Sequence, residues 1–183
     1  MAHLDRHRPA LLSQVAVLTF ASVFLHDFAG MGTWVTSTSL AAVQTGAMVM
    51  RVWSGRFTDR HGNRRPFLKI CSALSALAFL VLWLLVTGAA AIPPLLPLLP
   101  LMVVVAGIFV SAWHGVAYTE LATLAGAGHV GTALSLANSF VFVGFCLVPI
   151  AIPWLLVVFA WPGVWLAAAI CAALAWPIFL RQV

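Results

Sequence analysis

The stretch from Gly55 to Lys69 holds five of the chain's nine lysines and arginines and one of its four acidic residues. Its pattern, Gly55-x-x-x-Asp59-Arg60-x-Gly62-x-Arg64-Arg65, sets one carboxylate among several cations, which is the raw material of an ion-paired latch. Each residue type has a physical use at its place. Gly55 lets a neighbouring helix approach closely, and Gly62 permits the positive φ of a tight turn. Asp59 can accept hydrogen bonds from a helix N-terminus or from arginine, and Arg64 and Arg65 are long enough to reach lipid phosphates. A plain basic loop would account for the arginines. It would not account for two glycines and an aspartate at these offsets.

The remaining ionisable residues lie in apolar sequence. The chain is 63% hydrophobic and 7% charged, with a mean hydropathy of +1.09, whereas in a soluble domain roughly a quarter of residues are charged. The composition is that of an all-α integral membrane protein, and its net charge of +5 is placed to meet lipid headgroups. Nucleic acid is therefore a poor partner. A charged group inside the bilayer costs about 2.5–3.5 kcal/mol at mid-depth on insertion scales, so such groups usually face a cavity or a partner. Candidates for that role are His26, Asp27, Gln44, Arg51, Trp113, His114, Glu120 and Asn138. His26 and Asp27 are sequence neighbours and do not share a helix face, so one of them is expected to face the interior. Asp27 either caps a helix end among headgroups or serves substrate or coupling, with a proton as one option. Gln44 shares a helical stripe with Met48 and Arg51. Asn138 shares a face with Ser135 and Phe142, and His114, beside Trp113, is either a hydrogen-bonded structural residue or a ligand. Ribbons of small residues at Gly107, Ser111 and Gly115 and at Gly131, Ser135 and Ser139 suit close helix packing.

Enzymatic chemistry finds no support. There is no G-x-S-x-G or H-E-x-x-H pattern, and the last apolar run holds no acid, base or histidine. Cys71, Cys146 and Cys171 lie within apolar runs without metal-type spacing, so no metal or cofactor is expected.

These residues must be positioned by membrane-spanning helices of about 20 residues each. Six apolar runs meet that length: 10–31, 40–57, 66–86, 98–124, 132–159 and 162–180. Together they form a single domain over 1–183. The breaks fall at Gly30, Gly32 and the Thr-Ser run 36–39, at the basic stretch, at 88–97, at the glycines 126–131, and around Trp161-Pro162-Gly163. The basic start and apolar stretch at the N-terminus are similar to a signal peptide, but the stretch is longer than the usual 7–15 residues and carries His26 and Asp27. It is read as the first span. Because Lys and Arg accumulate on cytoplasmic loops, the basic connection and both termini are expected inside. The outer connections, 32–39, 87–97 and 160–162, are uncharged.

The motif from Gly55 to Arg65 resembles the signature between the second and third helices of each six-helix half in the major facilitator superfamily. Every fixed position of that signature is filled. Arg51, one turn earlier, and the passage from Trp113 to Ser139 resemble the second, C-terminal half of these transporters, and the arginine expected in a first half's fourth helix is missing. The resemblance implies a secondary active transporter, or a half-unit of one, carrying a small-molecule solute through the bilayer by alternating access. It also implies that Arg51, Asp59, Arg60, Arg64 and Glu120 meet in an ionic cluster that gates the cytoplasmic side, or that is merely architectural. Full members have two halves, so this one is expected to pair with a second six-helix half, as a homodimer or with a separate chain. A non-transporting membrane scaffold or a truncated transporter remnant is the alternative. The resemblance places the protein in the cell (inner) membrane.

Overall fold

The computed structural model describes residues 20–62, 64–89 and 92–178, all helical or in short connections. The first part of the first expected run, 10–19, lies outside the described residues. Its end is a π-helical turn, Phe24–Phe28, closed by bonds from the Ala29 amide to the Phe24 carbonyl (3.0 Å) and from the Met31 amide to the Leu25 carbonyl (2.9 Å). Gly30, at φ 64°, turns the chain there in the left-handed conformation that ends many helices.

Helix α1 (Thr33–His61) begins earlier than the hydropathy suggests. The run 36–39, expected as part of an outer loop, is helical. The hydroxyls of Thr36, Thr38 and Ser39 donate to carbonyls four residues back, at 3.3, 2.8 and 2.7 Å. Hydroxyls satisfied in this way leave the backbone ladder intact, so the true break is Gly30–Gly32. Gly62, at φ 65°, caps the far end, and its amide donates to the Thr58 carbonyl. Helix α2 (Arg64–Ala89) follows at once. The basic connection is therefore a tight turn between two helix ends, with Asp59 in the last turn of one and Arg64 and Arg65 in the first turn of the other.

After a 3-10 turn (Pro93–Leu95), helices α3 (Leu98–Ala112) and α4 (His114–Ala125) run on with a break at Trp113. The last helix, α5 (Val130–Ile178), holds one non-helical residue, Ala160 (φ 52°, ψ −164°). Residues 147–155 and 164–171 line one common apolar cavity of about 430 Å³, so the two arms of α5 lie side by side as a helical hairpin. The reversal sits at Ala160, at the edge of the expected break. A β-carbon on Gly163 would lie 2.2 Å from that of Phe159, so a side chain there would meet the preceding turn.

The main core joins the π-turn, α2, α3 and the second arm of α5. Phe24 sets its ring against Trp161 and Trp165, with centroids 5.1 and 4.9 Å apart, beside buried Phe79, Leu82, Leu99 and Val103. A second cluster, with Leu68, Cys71, Trp113 and Val116, lies toward the Gly62 end. Two buried hydroxyls bridge helices: Ser54 donates to the Ala112 carbonyl (3.2 Å) and Ser72 to the Ala172 carbonyl (2.7 Å). Such bonds satisfy groups that hydrocarbon cannot.

Among the described residues three segments are long and apolar enough to cross a membrane: Arg64–Ala89, Leu98–Ala125 and the 46-residue Val130–Ala175. The 29 residues of α1 make about 44 Å of helix. It has the length for a crossing, but its Thr, Ser, Gln and Arg side chains dilute the apolar character.

Candidate functional site

The charges of the basic turn stand at unfavourable helix ends. Asp59 is near the negative end of the α1 dipole, and Arg64 and Arg65 are at the positive end of the α2 dipole. They compensate one another and reach a third helix. Arg64 donates through Nη2 to Asp59 Oδ1 (3.0 Å) and through Nη1 to Thr123 Oγ1 (3.0 Å). Arg65 donates through Nε to Glu120 Oε1 (2.9 Å). One short motif thus ties the ends of α1, α2 and α4 together. The two carboxylates differ in exposure: Glu120 keeps 19% of its side-chain exposure and Asp59 61%, while Arg65 is the more exposed arginine, at 45% against 25% for Arg64.

The arrangement differs from the expected cluster in three respects. Arg65, expected only to reach lipid phosphates, joins the cluster by binding Glu120, while Arg64 pairs with Asp59 as expected. Among the described residues neither Arg51 nor Arg60 forms an ion pair with Asp59 or Glu120. Among the described residues Gly55 makes no close helix contact: a β-carbon there would meet nothing within 4 Å. The close approach is at Gly46, where an added β-carbon would lie 2.4 Å from Ile108 Cδ1 on α3. Sequence reasoning missed both Gly46 and Thr123. A glycine flanked by Ala47 and Val43, both buried, and a threonine one turn beyond Thr119 were the available signals.

Nearer the middle of the helices a second polar group assembles at the Trp113 break. Arg51 on α1 is brought to this break through Ser54, one turn on, whose hydroxyl donates to the Ala112 carbonyl (3.2 Å). The His114 ring stands 4.9 Å from that of Tyr118 and 5.5 Å from that of Trp113, and the Tyr118 hydroxyl makes a long 3.5 Å contact with Asn138 Oδ1 on α5. Among the described residues Trp113 Nε1 and His114 Nδ1 are buried without a hydrogen-bond partner. Gln44 lies exposed on α1 two turns before Arg51. Tyr118 was not expected in this group.

His26 and Asp27 are in contact, Nδ1 to Oδ1 at 2.6 Å, with both side chains more than half exposed. This corrects the expectation that they point apart. A π-turn holds more residues than an α-turn, so successive side chains diverge less. No group of three or more metal-ligating side chains occurs among the described residues.

A family model described as Major Facilitator Superfamily matches residues 10–182. The chain belongs to the major facilitator superfamily. No curated protein and no solved structure matches it. Membership makes it an integral membrane protein of a transporter family whose members move small solutes, in keeping with its membrane-length apolar helices. In this major facilitator member the turn between α1 and α2 presents its charged groups to α4, and the polar group at Trp113 lies farther along the same helices.

Proposed function

We propose that this protein is a secondary active transporter unit that moves a small solute by alternating access, with the ties at the Gly62 turn as its gate. The observation that carries the reading is the bridge from Arg64 to both Asp59 and Thr123, beside the Arg65–Glu120 pair. The bonds to Thr123 and Glu120 tie the Gly62 turn to the end of α4, which must part from it for a cavity to open on that side, and Asp59 orients Arg64 for that tie; alternating access needs such a two-state element. In this reading the crossings are six: the first run, α1, α2, α3 with α4, and the two arms of α5. The Gly62 turn and both termini face the cytoplasm of the cell (inner) membrane, because Lys and Arg gather there. A second six-helix half closes the cavity.

The test neutralises the gate while keeping its shape. Asp59→Asn removes an exposed pair worth about 1 kcal/mol, or roughly a fivefold change in a two-state ratio, and Glu120→Gln is expected to do more. A cysteine at Ser135 should then react faster with a membrane-impermeant thiol reagent added from the cytoplasmic side. Unchanged reactivity in folded, assembled protein would make the motif architectural.

A further inference from the structure

Arg51 is a cation that the gate does not use. It lies ten residues before the end of α1, about 15 Å along the helix, and so within the crossing that the transporter reading assigns to α1. Its neighbourhood is fixed. Ser54, one turn on, is buried and bonded to the Ala112 carbonyl at 3.2 Å, which holds this part of α1 against the Trp113 break. Arg51 is exposed, as are Met48 and Gln44 on the same stripe, while Trp113, His114 and Tyr118 stand on the facing helix segments.

Among the described residues this group holds donors and ring faces but no carboxylate. The chain has four acidic residues. Asp27 is held by His26, Asp59 by Arg64 and Glu120 by Arg65, and Asp5 lies outside the described residues. A second copy of the chain would bring the same acids, with the same partners. Charge at this depth is costly unless something of opposite sign meets it, and a planar guanidinium is shaped to take two oxygens of an oxyanion at once. The unpartnered Trp113 Nε1 and His114 Nδ1 at the same break are buried polar atoms, and such atoms normally have partners.

We propose that the transported solute is an anion, bearing a carboxylate or a phosphate, and that Arg51 is the residue that binds its negative group. The inference rests on the transporter reading above and deepens it. His114, Tyr118, Asn138 and Gln44 surround the rest of the solute and select it by hydrogen bonding and stacking.

The test reads the sign of the site without knowing the solute. Met48, three residues before Arg51, shares its helix face. Met48→Cys is treated, in vesicles made leaky on both sides, with two methanethiosulfonates of similar size, one carrying a sulfonate and the other a trimethylammonium. Labelling of the position-48 peptide is followed by mass spectrometry, and each rate is divided by that of a free thiol in solution. The normalised rate should favour the anionic reagent. Arg51→Gln should reduce the anionic-to-cationic ratio by about tenfold, and Arg51→Lys, which keeps the charge, should preserve most of it. A cationic preference with Arg51 present, or a ratio unmoved by Arg51→Gln, would overturn the anion site and leave the transporter reading standing. No reaction with either reagent would show that position 48 faces no water, and would overturn the cavity together with the site.

Discussion

Gly46, and not Gly55, is the residue on which the position of α1 turns. An added β-carbon at 46 would collide with Ile108, while one at 55 would enter open space. Gly46→Leu should therefore lower stability by about 1–3 kcal/mol, the usual cost of overpacking, and Gly55→Leu should be nearly neutral. Thermal unfolding of the two variants in detergent separates them, and equal losses would refute the assignment. Gly62 was legible from sequence because its need is local: a left-handed residue between two charged helix ends. The partners of the arginines were not legible. Arg65 finds Glu120 fifty-five residues away, and that pairing depends on how α2 and α4 are rotated, which no local pattern records.

Among the elements, the apolar runs gave α2, and α3 with α4, to within about three residues of their observed ends. Where the reading failed, polar or glycine residues were taken as punctuation. Thr36, Thr38 and Ser39 return their hydroxyls to the helix's own carbonyls and so continue it. His26 and Asp27 meet because the turn is π-helical, a geometry that hydrophobic periodicity does not report. In α5 the one non-helical residue, Ala160, falls inside the expected connection 160–162, next to Pro162 and Gly163. Gly163 then carries the burden of the turn. Gly163→Ala sets one β-carbon against another at 2.2 Å, and side-chain rotation cannot relieve such a contact. It should lower the unfolding temperature clearly, whereas Gly128→Ala, in open space, should not. A harmless Gly163→Ala would mean that the arms of α5 are joined differently.

For the whole molecule, the apolar side chains left uncovered matter as much as the core. Met48, Val49 and Val52 on α1 and Phe142, Ile150, Trp154 and Val157 on the first arm of α5 are all at least half exposed. Exposed apolar faces of this extent suit lipid or a second half, while α2 and the second arm of α5 share the core. The polar stripe of α1, with Gln44 and Arg51, belongs to the uncovered side. That side is where a transport cavity would form between two halves. The central claim is that this cavity opens to one face of the membrane at a time, and the reactivity of Met48→Cys from each face tests it most directly. With the gate intact, the cysteine should react mainly with impermeant reagent supplied at the face opposite the Gly62 turn. With Asp59→Asn and Glu120→Gln combined, reactivity should rise from the Gly62 face and fall by a similar factor from the other. Rates that change in parallel on both faces, or on neither, would contradict alternating access in this protein.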